Sequence, residues 1–212
     1  MDEPTAAPGL KDDMKNRDSD RNERILANAR SVLTRAQFSL DTDYFIPCQC
    51  DETSVLFSTE AELDAFVAWC KETGLNVFNS VTDVLSVRSC STAFSVMAQN
   101  WQSSAFGVRF EFIDIPREPF PHRIEAMCVT DGMAPLHDRQ LRRNGSGTPI
   151  HVSFKAPNLH EYLRTAHELN AVLPFMAEYS NDYGRFSYYE HGGIYLKPRV
   201  NLRDLQDAEV AG

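Results

Sequence analysis

Polar and titratable side chains alternate with apolar ones along five segments that show the two-residue period of β-strands. If Ile194 and Leu196 face a layer of helices, then Tyr195 and Lys197 face the opposite side. The same rule places further polar residues on that side: Arg109, Glu111, Arg123, Glu125, His151, Ser153, Lys155, Ser187 and Tyr189. Such a face is either the lining of a ligand cavity or a solvated surface, because antiparallel sheets often leave one face in water.

Three other groups of residues offer chemistry, and each has a simpler explanation. Cys48 and Cys50 lie on one side of an extended segment and could hold a metal or form a redox switch, but a strong zinc signal needs a second cysteine pair. We therefore expect reduced, idle thiols. His151 and Ser153 match half of the paired His-x-Ser motif of phosphoesterases, without a second copy. Residues 144–147, Asn-Gly-Ser-Gly, lack the lysine of a phosphate-binding loop and predict a flexible turn.

An aromatic run near the C-terminus has two interpretations. It comprises Tyr179, Tyr183, Phe186, Tyr188, Tyr189 and Tyr195, interleaved with Arg185, Lys197 and Arg199. These side chains could stack on the bases of a single-stranded nucleic acid, but cross-strand packing in a hairpin is the commoner use of such a pattern. The chain has 30 acidic and 21 basic residues, which argues against a nucleic-acid partner.

Capping signals and periodicity predict the elements that position these side chains. Residues 1–19 are rich in charge and poor in large apolar side chains, which predicts a disordered N-terminal tail. An apolar stripe predicts a helix over about 20–37. Thr59 and Asn158 are each followed three residues later by glutamate, so each predicts the start of a further helix, directly after a short apolar strand.

The chain is predicted to be duplicated. Ser54–Phe57 and His151–Phe154 have nearly the same offset to the helix that follows, and each half continues with three more strands. The expected boundaries are the N-terminal helix and first module over 20–130, with an insertion at about 82–104; a linker over 131–148; a second module over 149–200; and a frayed C-terminus over 201–212.

The second half resembles a known superfamily. His151 opens a strand of the form His-Val-Ser-Phe, a helix follows, and a hairpin over Arg185–Leu196 contains His191-Gly192-Gly193. In this order, clearest over residues 149–199, the sequence resembles the vicinal oxygen chelate superfamily of glyoxalases and extradiol dioxygenases. The resemblance implies an α+β fold, in which two βαβββ-like modules form a cupped mixed sheet with helices on the outer face, plus an N-terminal helix.

The resemblance also implies a metal site, because metal ligands in that superfamily lie on the first and fourth strands of each module. The matching positions are Ser54 and His151 on the first strands, and Glu125 and Tyr195 on the fourth strands. Only His151 and Glu125 are ligand types. A catalytic metal needs about three protein ligands. The third is expected from His122, His191 or Glu190, although His122 falls on the opposite face from Glu125 on a regular strand.

Two classes of function follow. The first is a divalent-metal-dependent lyase or dioxygenase with one Fe, Zn or Mn ion bound by His151 and Glu125. In this enzyme Tyr195 or His191 would supply a proton, and Arg109 and Arg123 would position an anionic group of the substrate. Further contacts with the substrate would come from Ser153, Lys155 and Tyr189. The second is a metal-free binding or protein–protein interaction module. Ser54 and Tyr195, which stand where the superfamily has ligands, favour the second class; the polar face permits either.

The remaining expectations concern partners and location. We expect a small-molecule ligand and a homodimer, since paired modules can also assemble between chains. No segment approaches the roughly 20 apolar residues of a membrane span, and the acidic start Met-Asp-Glu-Pro-Thr is unlike a secretory signal. The chain is therefore predicted to be cytoplasmic, without a membrane partner.

Overall fold

Eight strands and four helices make up the described chain. The protein is represented by a computed structural model that describes residues 8–39, 52–90, 105–116, 122–132 and 134–201. The elements, in chain order, are α1 (Pro8–Ser39), β1 (Glu52–Phe57), α2 (Glu60–Glu72), β2 (Asn76–Cys90), β3 (Ala105–Ile115), β4 (His122–Gly132), α3 (Pro135–Asn144), β5 (Thr148–Lys155), α4 (Leu159–Val172), β6 (Phe175–Asn181), β7 (Gly184–His191) and β8 (Ile194–Asn201).

Both predicted capping residues start their helices. The backbone N–H of Glu62 donates to the Thr59 hydroxyl at 3.2 Å, and that of Glu161 donates to the Asn158 side-chain oxygen at 2.9 Å. Each bond satisfies one of the backbone donors that a helix leaves open at its first turn. Helices α2 and α4 therefore begin directly after strands β1 and β5, as the sequence predicts.

The strands form two βαβββ modules. The first module is β1–α2–β2–β3–β4 and the second is β5–α4–β6–β7–β8; in each, the first strand pairs parallel with the fourth. Strand β1 also pairs antiparallel with β5, and β2 with β6. The α+β class, the paired modules, the mixed sheet and the N-terminal helix are thus confirmed. The sheet does not stop at a cup, because its two pairings between modules close it into a barrel.

Two predicted boundaries differ from the structure. Residues 82–90, expected in an insertion, continue β2, which pairs with β3 as far as Ser86 and then with β6 from Ser86 to Cys90. Val84 and Val87 lie in this segment, and valine favours strands. Residues 91–104 lie outside the described residues. The predicted linker over 131–148 contains α3, whose Leu136 and His137 are fully buried, so it belongs to the folded body.

Helix α1 begins earlier than predicted. It starts at Pro8, so residues 8–19 are helical where the sequence predicts a disordered tail. Proline is well tolerated in a first helical turn, and contacts with α2 hold the following turns in place. The indole N–H of Trp69 donates to the Ser19 hydroxyl at 3.3 Å, and Arg21 lies 3.3 Å from Glu62. Residues 1–7 and 202–212, the rest of the two predicted termini, lie outside the described part.

The core has an outer and an inner part. On the outer face, the apolar stripes of α1 and α2 pack on β1, β3 and β4, while α1 and α4 also cover β5 and β8. Inside the barrel, Leu136 of α3 and Ala134, the residue before this helix, share one cluster with Phe106, Ile150 and Tyr195. Helix α3 therefore covers one end of the barrel.

Within the described ranges, no helix combines the length and the hydropathy needed to cross a bilayer.

Candidate functional site

The barrel encloses a cavity of about 340 Å³ in the half that lies away from α3. Its aromatic wall consists of Phe110, Phe112, Phe186 and Tyr188. The other lining residues are largely polar or charged: Glu52, Asn79, Val81, Asp83, Leu85, Glu125, Asn181, Tyr183, Lys197, Arg199 and Asn201. This size and this combination of apolar walls with a few converging polar groups are typical of small-molecule sites.

The inner end of the cavity is formed by Lys197 and the groups around it. The Lys197 ammonium lies 3.4 Å from each carboxylate oxygen of Glu125 and 3.1 Å from Nε2 of His151. It also lies 4.0 Å from Glu52 Oε1, and Arg199 lies 3.8 Å from the other oxygen of Glu52. Lys197 is only 5% exposed. Charged groups are seldom buried to this extent unless they are paired, and these charges are paired with one another.

Ser54 connects the acid and the base of this cluster. Its hydroxyl donates to Glu125 Oε1 at 2.6 Å and lies 2.5 Å from His151 Nε2. Nδ1 of His151 is buried without a hydrogen-bond partner, so the ring interacts with the cluster through Nε2 alone. Ser54 Oγ therefore bridges the two residues: its one proton goes to Glu125, and Oγ can accept a hydrogen bond only from the tautomer of His151 that carries a proton on Nε2. Lys197 can donate to Nε2 only in the other tautomer.

The charge states follow from the surroundings. Burial raises the pKa of Glu125, but Lys197, the Ser54 hydroxyl, Glu52 and Arg199 outweigh it, so the pKa lies below its usual value and the carboxylate stays ionised. Burial, together with the Lys197 ammonium, holds the pKa of His151 well below its ordinary value. At neutral pH the cluster therefore combines a carboxylate with a neutral imidazole.

Strand register explains why these residues meet. Ser54 pairs with Glu125 across the parallel β1–β4 ladder and with His151 across the antiparallel β1–β5 ladder. Residues at matching positions on adjacent strands point to the same side, so all three side chains enter the barrel together. In the β5–β8 ladder Ser153 pairs with Lys197, one row nearer the open end.

Some of the predicted site residues share this interior. Glu125 and His151 are in contact with the same lysine, as described above, and the buried Ser153 hydroxyl has no hydrogen-bond partner. Tyr195 also points inward, but it packs edge-on against Tyr188 in the half nearer α3 and does not line the cavity. Arg123 lies outside the lining too: it pairs with Asp114 at 3.2 Å and its guanidinium covers the Phe78 ring at 4.7 Å.

Two charged residues of β3 face away from the cavity, so the face predicted for them is wrong. Arg109 pairs with Cys128, and Glu111 with Ala126, in the β3–β4 ladder, on the side covered by helices. Arg109 forms ion pairs there with Glu111 at 2.7 Å and with Asp64 of α2 at 2.8 Å. The inward positions of β3 are held by three phenylalanines and a valine, Phe106, Val108, Phe110 and Phe112, so this wall of the interior is apolar.

Strand β7 gives a similar correction. The Tyr189 hydroxyl donates to the carbonyl of Ala166, and the Ser187 hydroxyl is hydrogen bonded to Tyr162; both partners are in α4, on the outer face. The predicted inward face of these two residues is therefore wrong. Lys155 is exposed, and the half-buried His191 ends β7; neither lines the cavity.

The aromatic run follows its simpler interpretation. Tyr179, Tyr188 and Tyr195 are buried and pack on one another, with ring centroids 5.1 and 6.2 Å apart. The prediction of cross-strand packing is confirmed for these three residues. Cys48 and Cys50 lie outside the described residues.

Sequence reasoning missed Glu52 as a candidate ligand. It precedes Ser54 by two residues, so the strand period that places Ser54 inside also places Glu52 there. The three residues considered as a third ligand lie elsewhere. His122 is hydrogen bonded to Thr53 at 3.2 Å, Glu190 pairs with Arg139 at 3.5 Å, and His191 lies outside the cavity.

The ligand atoms of Glu52, Glu125 and His151 lie within 4.8 Å of one another and form a candidate Glu/Glu/His metal site. Two carboxylates and an imidazole suit a divalent ion such as Fe, Zn or Mn. The Lys197 ammonium, however, lies among these ligands at 3.1–4.0 Å. A positively charged group at this distance repels a second cation. With Lys197 in this position, the residues do not fit a resident divalent metal.

Comparisons with known proteins give only structural likeness. No protein-family model matches the chain, and no curated protein sequence shows significant similarity to it. A Streptomyces coelicolor methylmalonyl-CoA epimerase in complex with 2-nitronate-propionyl-CoA is 12% identical, with 71% of this chain and 92% of that chain covered and a TM-score of 0.42. Methylmalonyl-CoA epimerase from Mycobacterium tuberculosis is 11% identical, with 71% of this chain and 86% of that chain covered and a TM-score of 0.46. A hypothetical protein from Bacillus halodurans is 7% identical, with 73% of this chain and 94% of that chain covered and a TM-score of 0.41. At these levels the likeness carries no information on activity.

Proposed function

We propose that this protein binds a small molecule inside its barrel and transfers protons to or from it. One observation supports the proposal above all: Glu125, His151 and Lys197 are buried and hydrogen bonded at the end of a cavity that has aromatic walls. Burying ionisable groups is costly, and such groups gather in clefts where their chemistry is used.

The lining favours a neutral or cationic ligand with a flat apolar part. Phe110, Phe112 and Phe186 offer ring faces or edges to such a part. Three carboxylates, those of Glu52, Asp83 and Glu125, line the cavity against two cations, Lys197 and Arg199, and His151 is neutral. The formal charge of the lining is therefore −1. The anionic group predicted from Arg109 and Arg123 has no counterpart there, because neither arginine lines the cavity.

The chemistry we propose is acid–base catalysis. The Lys197 ammonium can donate a hydrogen bond to a ligand oxygen, and Ser54 can pass a proton between His151 and Glu125. Of the two reactions predicted from the sequence, a lyase reaction removes a proton from the ligand, uses that electron pair to form a double bond and expels a leaving group that takes up a proton, so it needs only acid–base groups. Dioxygenase chemistry needs a redox-active partner. Because Lys197 stands among the candidate metal ligands, we propose the lyase-type reaction.

Ligand-observed NMR tests the binding step. The probes are single-ring aromatic amides, amines and carboxylates, each added to wild-type protein and to Phe112→Ala, Glu125→Gln and Arg109→Ala variants. We expect amides or amines to bind. Affinity should fall by about tenfold in Phe112→Ala, which removes one ring from the wall.

Arg109→Ala is the matched control, because it removes a charged side chain of the same strand from the outer face. It should leave binding unchanged. The proposal is wrong if no probe binds, or if Phe112→Ala and Arg109→Ala affect binding equally.

A further inference from the structure

The Lys197 ammonium lies at a point where ligand-type side chains converge. Three groups surround Nζ: both carboxylate oxygens of Glu125 at 3.4 Å, Nε2 of His151 at 3.1 Å, and Oε1 of Glu52 at 4.0 Å. Each of these residues is buried, and each comes from a different strand, β1, β4 or β5. Lysine from β8 completes the ring of strands around this point.

The three groups are of the kind that holds a divalent cation. One imidazole and two carboxylates provide nitrogen and oxygen ligands with a formal charge of −2, and their ligand atoms lie within 4.8 Å of one another. Lys197 and Arg199 contribute two positive charges beside the same carboxylates. The two side chains of β8 therefore balance the charge that a divalent ion would balance.

We propose that Lys197 takes the place of a divalent metal ion in this barrel, and that a metal site of Glu52, Glu125 and His151 is present but blocked by this lysine. The inference is independent of whether the protein turns over a ligand. Lys197 cannot leave easily, because its backbone lies within the β5–β8 ladder and its ammonium also packs 5.2 Å from the Phe186 ring. Removal of the ammonium should expose the three ligands to the cavity, which Glu52 and Glu125 line.

Metal titration of the full-length chain tests this. Wild-type protein and a Lys197→Ala variant are freed of metal with a chelator and titrated with Mn²⁺, followed by electron paramagnetic resonance, and with Co²⁺, followed by its visible spectrum. Two variants serve as controls. Lys155→Ala removes an exposed lysine from β5, and Lys197→Ala/Glu125→Gln removes one candidate ligand along with the lysine.

We expect wild type and Lys155→Ala to bind no stoichiometric metal. Lys197→Ala should bind about one equivalent, at least about 100-fold more tightly than wild type, because a repelling charge within about 4 Å has been removed. The double variant should lose this binding. Thermal unfolding gives a second measurement: metal should raise the melting temperature of Lys197→Ala and leave that of wild type unchanged.

Two results would overturn the inference. The first is stoichiometric Mn²⁺ or Co²⁺ in wild type that is lost on His151→Ala, since the lysine would then not exclude the metal. The second is a folded Lys197→Ala that binds none. If Lys197→Ala does not fold even with metal added, Lys197→Gln, which keeps a hydrogen-bonding side chain of similar length, is titrated in its place. Failure of Lys197→Gln to bind metal also overturns the inference.

Discussion

The two modules share a topology but contribute opposite chemistry to one cavity. The first and fourth strands of the first module supply the carboxylates of Glu52 and Glu125; those of the second supply His151, Lys197 and Arg199. Neither half contains both the acids and the bases of the cluster. The two modules are therefore complementary, and the cluster exists only where they join.

The two joins between modules also differ. At the β1–β5 join, Ser54 and His151 face each other, with Oγ 2.5 Å from Nε2, so the buried cluster crosses from one module to the other. At the β2–β6 join, Asn181 donates to Asp83 at 2.6 Å near the open end of the cavity. One join therefore carries the buried charges and the other a hydrogen bond at the mouth. This difference can be tested by removing charge from each region in turn.

The largest effect is expected from removing the lysine of the second module. In metal-free buffer, Lys197→Ala leaves the carboxylates of the first module buried without their nearest cation. Breaking one side of a buried ion pair costs about 3–5 kcal/mol. Urea unfolding at pH 7 measures the loss.

A double variant shows whether the cost belongs to the pair. Glu125→Gln/Lys197→Ala removes one charge from each module and should be destabilised by less than the sum of Glu125→Gln and Lys197→Ala alone. If Lys197→Ala is no less stable than Lys155→Ala, the two modules are not coupled by charge.

The next effect concerns His137, at the end of the barrel covered by α3. Its ring packs against Phe106 and Tyr179, both ring nitrogens lack hydrogen-bond partners, and burial lowers its pKa to about 3. As the pH falls, this histidine is protonated first in the unfolded chain, where its pKa is near 6.5, and only later in the folded chain. Stability should therefore be lost as the pH falls from about 6.5 towards 3, by up to about 1.4 kcal/mol per pH unit for this residue.

His137→Phe isolates this contribution. The variant should be more stable at pH 7 by about 1 kcal/mol, because two buried nitrogens without hydrogen-bond partners are removed. It should also take up as much as one proton fewer on unfolding in acid, so its free energy of unfolding should fall less steeply as the pH is lowered. Urea midpoints at pH 7, 5.5 and 4.5 provide the comparison. An unchanged pH slope would show that His137 is not buried in its neutral form.

The smallest effect is expected on the outer face. Arg109→Ala removes ion pairs with Glu60, Asp64 and Glu111, but the first two partners are more than half exposed. These exposed pairs contribute little, and the buried Glu111 keeps the hydrogen bond that the Ser80 hydroxyl donates at 2.7 Å, so the loss should be about 1–2 kcal/mol in urea unfolding and should shrink as salt is added. A loss as large as that of Lys197→Ala would mean that the site between the modules holds no special share of the electrostatic energy.

The sequence predicts most of the fold because its local signals are unambiguous. The caps at Thr59 and Asn158 determine where two helices begin, and the matching strand–helix order on both sides of the chain predicts the paired modules. Closure of the sheet could not be predicted in this way. It depends on antiparallel pairing between β2 and β6, which are far apart in the chain and carry no local signal for each other.

The candidate site was predicted in part, for a related reason. The two-residue period correctly places Glu125, His151 and Lys197 on one side of the sheet. It fails for Arg109 and Tyr189, because period alone does not say which of two alternating faces points inward. The assumption that polar residues line the interior holds on β1, β4, β5 and β8, but β3 and β7 turn aromatic residues into the cavity instead.

Helix α3 closes one end of the barrel, and Tyr183 and Asn201 lie at the other end of the cavity. We therefore expect a ligand to enter the cavity at the end marked by Tyr183 and Asn201. Two molecules that react inside would then have to enter one after the other. The first to enter would also have to leave last, unless the reaction makes it small enough to pass the second. A reaction of two substrates in this barrel would accordingly show a fixed order of binding and release.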